Sequence, residues 1–309
     1  MGVEGGYSQK DVQEVARCFT GWTIDRPNQG GGFIFRPWMH DAGAKTIMGT
    51  SIPAGGGITD GVRVIDLLAR HPSTARFISK KLCQRFVSDD PPAQLVERIA
   101  QVFLNTDGDI REVLRAIFSS PEFNSPASFR SKLKSPLELV ASAVRAVDGD
   151  TNGAPALQDW LRKMGEPLYL NQAPTGYSEA SSAWMNTGSF LNRLNFGVAF
   201  TRNQIPGTNY ESARLASPDR PPSLDDLTDR LTALVLHVDL SPDSKRTIRE
   251  GLAKTQAAQV VAPSRAATPA GTRPEAAQAG YSPRMDGAES RQAALILELL
   301  FGSAEFQRR

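Results

Sequence analysis

The sequence predicts a mostly α-helical protein, a bundle of orthogonal and antiparallel helices with one small β-ribbon inserted near residues 32–49. Two observations predict this class. Apolar residues recur at the helical spacing i, i+3, i+4, i+7 along most of the 309-residue chain. Helix-start signals, in which Ser, Thr or Asp precedes Pro or an acidic residue, recur at short intervals. Because the connections between these segments are short, we expect consecutive helices to pack as antiparallel neighbours.

The first helix has a clear start. Ser8 and Asp11 have the spacing of a capping box, in which the two residues exchange hydrogen bonds with each other's backbone amides. Apolar residues then follow at helical spacing until Gly21, which favours termination. The pattern predicts an amphipathic helix with one buried face.

Residues 23–57 depart from the helical pattern. Glycine and proline are dense there, and Phe33 and Phe35 alternate with Ile34 and Arg36. This alternation favours a strand. We predict a β-ribbon in which residues 32–38 pair with residues 45–49 across a turn at residues 40–43. The glycine run at residues 55–57 lacks the lysine of a phosphate-binding loop, and we interpret it as a hinge.

The rest of the first half carries four further helix starts, and a fifth follows near residue 135. They lie at Thr59 or Asp60, at His71-Pro72, at Asp90-Pro91-Pro92, at Asp109, and at the capping box Ser135-Pro136-Leu137-Glu138. Each is followed by apolar residues at helical spacing, so each predicts an amphipathic helix.

The second half is also helical, with one interruption. Residues 256–287 consist mainly of Ala, Pro, Gly, Ser, Thr and Gln and hold few apolar anchors. Such a composition is typical of a flexible segment. We therefore divide the chain into a helical region at residues 1–255 with its ribbon at 23–57, a low-complexity excursion at 256–287, and a terminal helix at 288–309 that returns to the core.

Composition excludes several classes of function. Lys and Arg total 35 against 33 for Asp and Glu, so the net charge of +2 gives no basis for nucleic-acid binding. The longest apolar run, residues 293–301, contains Glu298 and is far shorter than the roughly 20 residues of a membrane span. We expect a soluble chain in which Cys18 and Cys83, each in an apolar helical pattern, are buried free thiols.

Several short motifs occur in an order that resembles one known family. They are Gly5-Gly6-Tyr7-Ser8-Gln9-Lys10-Asp11-Val12, Thr20-Gly21-Trp22, His40-Asp41, His71-Pro72-Ser73-Thr74-Ala75, Lys81-Leu82, Phe86-Val87, Ser120-Pro121-Glu122-Phe123 and Lys134-Ser135-Pro136. Together, and with the aromatic stretch at 176–200 and the segment at 302–309, they resemble the bacterial family called domain of unknown function 1800.

The resemblance implies a fold more than a chemistry, because the activity of that family is not established. Its members are usually longer, and their N-terminal half holds a Trp-His-x-His-like segment that does not occur here. We therefore expect the chain to be the C-terminal part of a longer protein, with Met1 an internal methionine. Members are commonly exported, so the resemblance implies a periplasmic or secreted location.

Two histidines are the candidates for a chemical site. His40 and Asp41 stand together beside Trp38, and such a pair can hold a divalent metal or act as a base. The alternative is a structural turn in which Asp41 bonds its own backbone and His40 packs on Trp38. His71 precedes a proline at a helix start, where it can cap that helix or ligate a metal. A metal site built on His40 and His71 would need further ligands from the missing N-terminal half.

Aromatic residues in irregular segments are candidates for a surface that binds protein or polysaccharide, namely Trp22, Trp38, Tyr177 and Trp184. The alternative is burial, which is the default for large aromatic side chains. Two functions follow from the sequence. The first is a helical binding or scaffold module of an exported protein, and the second is a metal-assisted, hydrolase-like enzyme whose site is completed by the missing half.

Overall fold

The structure, a computed structural model, describes residues 1–2, 5–211, 223–261 and 288–309. Within these ranges the chain forms twelve α-helices and three two-stranded antiparallel sheets. This confirms the mostly α-helical class. No helix among the described residues combines the length and the apolar content that a membrane span requires.

The chain divides into two compact units, Met1–Ser128 and Phe129–Arg309. The first contains, in chain order, α1 (Gln9–Phe19), β1 (Trp22–Asp25), β2 (Gly32–Phe35), β3 (Lys45–Ile47), β4 (Thr50–Ile52), α2 (Ile58–Ala69), α3 (Pro72–Phe86), α4 (Ala93–Asn105) and α5 (Ile110–Phe118). The second contains α6 (Pro136–Ala146), β5 (Asp150–Thr151), α7 (Pro155–Lys163), α8 (Thr187–Thr201), β6 (Thr208–Asn209), α9 (Leu224–Leu236), α10 (Pro242–Val261), α11 (Ala288–Gly302) and α12 (Ala304–Gln307).

Several helix starts lie where local side-chain chemistry satisfies the first backbone amides. The start predicted at Thr59 or Asp60 is wrong, because α2 begins at Ile58 after Gly57 and Asp60 lies inside the helix. Ser8 and Asp11 form the capping box of α1, and Ser135 and Glu138 form that of α6. Asp109 accepts hydrogen bonds from two amides at the start of α5. These starts confirm the sequence signals.

Each unit buries its own apolar residues. In the first unit, one cluster joins α3, α4 and α5 around Cys83, Leu95 and Ile117, and a second joins α1, the β3–β4 hairpin and α2 around Cys18, Ile47 and Val64. In the second unit a single larger cluster is formed by α6 to α12. The cysteines Cys18 and Cys83 are buried and free, as predicted.

The predicted pairing of the ribbon is wrong. β2 pairs with β1, with Trp22 opposite Phe35 and Ile24 opposite Phe33, whereas β3 pairs with β4. The physical reason is a two-residue turn at Met48 and Gly49, both of which have positive φ. Such a turn closes a hairpin locally, so residues 45–47 find their partner in the next strand.

The structure also bears on the three predicted segments. Residues 1–255 span both compact units, with the division at Ser128. Of the predicted excursion, residues 256–261 belong to α10 and residues 262–287 lie outside the described residues. The terminal helix α11 contributes Ile296, Leu297 and Leu300 to the core of the second unit.

Candidate functional site

A buried polar cluster lies in the first unit between the β3–β4 hairpin and α2. It consists of His40, Lys45 and Asp60, whose side chains are 3%, 0% and 0% exposed. A charged side chain without solvent needs paired charges and hydrogen bonds. The contacts of each group therefore decide what the cluster does.

The Asp60 carboxylate is the centre of the cluster. Lys45 Nζ donates a hydrogen bond to Asp60 Oδ2 at 2.6 Å and another to the backbone oxygen of Asp41. His40 Nε2 lies 3.3 Å from the same Oδ2 and 3.5 Å from Lys45 Nζ. One carboxylate oxygen thus faces both an ammonium group and an imidazole nitrogen.

The proton position on His40 follows from its other neighbour. His40 Nδ1 lies 2.9 Å from the backbone oxygen of Thr20, which can only accept a hydrogen bond. Nδ1 therefore carries the proton. In the neutral ring Nε2 is left with a lone pair that accepts from Lys45 Nζ, and in the charged ring it donates to Asp60 Oδ2.

The backbone brings these three side chains together. Lys45 and Ile47 point to the same face of β3, and both are buried. Asp60 lies in the first turn of α2, which begins after Gly57. A Cβ atom at Gly56 would collide with Asp60 Oδ1, so glycine is needed there. Among the described residues, Oδ1 has no hydrogen-bond partner.

The carboxylates of α1 hold the other side of the β3–β4 hairpin. Arg17 joins Glu14 and Asp41, and Glu14 accepts from the amide of Thr46 at 3.0 Å. The Arg17 guanidinium, with the amide of Gly43, holds the pKa of Asp41 well below its usual range. Further along, hydrogen bonds from the Ser8 hydroxyl and the Met48 amide lower the pKa of Asp11 to about 2. Helix α1 therefore holds the β3–β4 hairpin in place, because its carboxylates accept hydrogen bonds from the backbone amides of Thr46 and Met48.

The structure gives different roles to the residues that the sequence analysis selected as candidates. Asp41 contributes its backbone oxygen to the cluster, while its carboxylate bonds Arg17 and the amide of Gly43. The ring of His40 packs against Phe35, with centroids 5.5 Å apart, and not against Trp38 as the structural alternative proposed. The structure thus joins His40 to Lys45 and Asp60, two residues that the sequence analysis did not select.

His71 has a capping role at the start of α3. Its Nδ1 accepts a hydrogen bond from the amide of Ser73 at 3.1 Å. Since this contact uses the lone pair of Nδ1, that atom is not available as a ligand. Over the described ranges, no group of three or more His, Cys, Asp and Glu side chains is arranged to hold a metal ion.

The aromatic candidates do not form one exposed surface. Trp184 is buried at 6% exposure and its ring lies 6.0 Å from that of Tyr177, which agrees with the alternative of burial. The Tyr177 hydroxyl donates to the backbone oxygen of Pro167 at 2.6 Å. Trp22 belongs to the first unit, where it packs edge-on against Phe19 and Phe33.

A different apolar surface lies on the β1–β2 hairpin. Ile24 and Phe33 form a directly opposed pair at its outer end, and Trp38 and Met39 follow in the next turn. These four side chains are 58%, 60%, 79% and 53% exposed. We call them the outer hairpin surface. Isolated exposed apolar residues are ordinary, but an exposed, directly opposed pair followed within six positions by two more exposed apolar residues makes this segment a candidate contact surface.

The sequence profile of the family described as "Protein of unknown function (DUF1800)" matches residues 1–308. No curated protein and no solved structure gives a significant match. The match covers essentially the whole chain, including both compact units and the segment that carries the polar cluster. The chain therefore belongs to the DUF1800 family, whose function is uncharacterised.

Proposed function

We propose that the chain is a protein-binding module and that the outer hairpin surface is where the partner docks. The observation that supports this proposal is that one face of the β1–β2 hairpin is half-buried at its inner end and exposed at its outer end. Trp22, Ile24, Phe33 and Phe35 share that face. The inner pair, Trp22 and Phe35, is half-buried, whereas the outer pair is exposed.

The inner half of this face is fixed on α2. A Cβ atom at Gly61 would collide with the indole of Trp22, and a Cβ at Gly57 would touch the ring of Phe35. The indole of Trp22 thus packs closely on α2 at Gly61, and the ring of Phe35 contacts the residue that precedes that helix. A preformed surface lowers the ordering cost of binding, so this rigidity supports a docking role.

The composition of the surface favours a protein partner over a polysaccharide. Aromatic residues, Met and Arg are enriched at protein interfaces. The opposite face of the same hairpin carries the charged groups, where Arg36 lies 4.0 Å from Asp25. A sugar-binding platform depends on flat aromatic rings edged by polar groups that bond hydroxyls. Ile24 and Met39 lack those features and suit an apolar side chain of a protein.

The sequence analysis supplies a first candidate for the partner, the N-terminal half of a longer, exported protein. The alternative function, a metal-assisted enzyme, needs ligands from that same polypeptide in addition to His40, because the described residues hold no group of three or more His, Cys, Asp or Glu side chains arranged around a metal. The two functions differ in one observable. Only the enzyme requires stoichiometric metal in the assembled protein, lost on His40→Ala.

The test begins with the DNA upstream of the Met1 codon. If the reading frame stays open, the polypeptide that it encodes is produced separately and its affinity for the chain is measured by calorimetry. We expect Phe33→Ser and Trp38→Ser to weaken binding by about thirty-fold each, the effect of a 2 kcal/mol interface hot spot. Ile110→Ser, at an exposed apolar residue of α5, is the matched control and should leave affinity unchanged.

If the upstream frame is closed, a photo-reactive residue at position 38 identifies the partner in the source cell. The purified partner is then titrated against the same three variants. Unchanged affinity for the Phe33 and Trp38 variants overturns the proposal in either case. Metal analysis of the complex decides between the binding module and the enzyme.

A further inference from the structure

We propose that Lys45 and Asp60 become joined by an intramolecular isopeptide bond in the folded chain. This inference goes beyond the binding function and does not depend on it. Lys45 Nζ lies 2.6 Å from Asp60 Oδ2, both side chains are fully buried, and His40 Nε2 lies within 3.5 Å of both atoms. These are an amine, a carboxyl group and a proton carrier held together without solvent.

The reaction needs no external reagent. Lys45 Nζ, once deprotonated, attacks the carboxyl carbon of Asp60, and a new C–N bond forms. The C–Oδ2 bond then breaks, and Oδ2 leaves as water with the two protons that the ammonium group gives up. Oδ1 remains as the oxygen of the amide. Ammonium plus carboxylate thus become one amide and one water molecule, with no oxidation or reduction.

His40 is placed to move both protons. Its Nδ1 is held in the protonated state by the Thr20 carbonyl, so the lone pair of Nε2 faces Lys45 Nζ. Nε2 can take a proton from the ammonium group and pass it to Oδ2, 3.3 Å away, as that oxygen departs. The imidazole thereby makes the amine nucleophilic and the oxygen a leaving group.

Burial favours both the approach and the product. Holding two reactants in one geometry removes much of the entropic barrier to their reaction. Ionised groups without solvent are costly, so a pair that becomes a neutral amide loses the charges whose desolvation opposes folding. The carboxylate has no solvent exposure, and Gly56 lies directly against its Oδ1 side.

The first experiment is the mass of the purified wild-type chain under denaturing conditions. We expect a mass one water molecule below that of the sequence. Trypsin should fail to cut after Lys45, since an acylated lysine is not a substrate. Because Arg26 and Arg36 each precede proline, digestion should yield a single peptide of residues 18–63, also lighter by one water. A wild-type chain of full sequence mass overturns the proposal.

A second reaction at the same aspartate must be separated from this one. Asp60 precedes Gly61, and an Asp-Gly pair can lose water by closing on its own backbone as a succinimide. That product leaves Lys45 open to trypsin, which would release peptides 18–45 and 46–63. Water loss with cleavage after Lys45 therefore overturns the isopeptide, and so does water loss that persists in Lys45→Arg.

The proton-transfer role of His40 has its own measurement. His40→Gln keeps a donor and acceptor at the ring position while removing the basic nitrogen. We expect the rate of linkage, followed by mass after synthesis in a cell-free system, to fall about a hundred-fold, in the range of general acid–base contributions. An unchanged rate removes His40 from the mechanism, and circular dichroism confirms that the variant is folded.

Discussion

Removing one member of the Lys45–Asp60 pair should open the β3–β4 hairpin. Lys45→Met deletes the ammonium group and leaves a carboxylate with no solvent exposure, faced only by His40. Asp60→Asn keeps the shape and leaves the Lys45 charge with the Asp41 backbone oxygen. Removing one partner from a buried ion pair costs about 3–5 kcal/mol. The double variant removes both charges, so it should be more stable than the sum of the two single effects predicts. The same prediction applies whether Lys45 and Asp60 form an ion pair or an amide bond in the wild-type chain. In either case a single substitution leaves the other group buried without its partner.

Hydrogen exchange with mass spectrometry measures this effect locally. The peptides that contain β3 and β4 report on the opening of the hairpin itself. A loss of about 3 kcal/mol lowers protection more than a hundred-fold. Peptides of α4 and α5 act as an internal control, because they belong to a separate apolar cluster. Single-variant losses below about 1 kcal/mol, or a double variant whose loss equals the sum, would refute the assignment of a coupled buried pair.

Three further outcomes are expected. Gly56→Ala should lower the urea midpoint strongly by displacing the buried carboxylate, whereas Gly32→Ala, with open space around its Cβ, should not. His71→Ala should cost about 1 kcal/mol in urea unfolding through loss of a helix cap, and His71→Asn should restore it. Arg17→Met should return the pKa of Asp41 towards its ordinary value. The lowered pKa stabilises the fold above about pH 4, and that gain disappears as pH falls through the folded pKa, so the urea midpoints of wild type and variant should converge at low pH.

The helices were predictable because their signals are local. A capping box at Ser8 or Ser135 satisfies backbone amides within four residues, whatever the rest of the chain does. The pairing of the strands in the ribbon was less predictable. Strand partners depend on which turn closes, and the turn at Met48-Gly49 has only glycine as its signal. Trp22–Asp25 carries one alternation of four residues, too short to identify β1 before its partner is known.

Of the candidate site, the sequence analysis selected His40 but not Lys45 or Asp60. This omission has a physical explanation. The sequence analysis interpreted Thr59 or Asp60 as a helix cap, because both residue types are common at helix starts. The spacing of four residues between Asp60 and Val64 does place Asp60 on the buried face of α2. Lys45 alternates with Ile47 in the same way. A lysine on the buried side of a strand and an aspartate on the buried side of a helix form a complementary signal, but only when the two elements are known to pack together.

The polar cluster provides stabilising contacts that a two-stranded hairpin lacks on its own. Isolated hairpins are marginal in water, and irregular backbone flanks these hairpins, at Thr20 before β1 and at Asp41 between β2 and β3. A shielded carbonyl must be paired, and the Thr20 and Asp41 carbonyls are paired by His40 and Lys45. An apolar side chain at either position would leave those carbonyls unsatisfied. The buried charges therefore fix irregular backbone that apolar packing alone cannot fix. Because that backbone is continuous with the segment that carries Phe33 and Trp38, the same contacts hold the surface that we propose as the docking site.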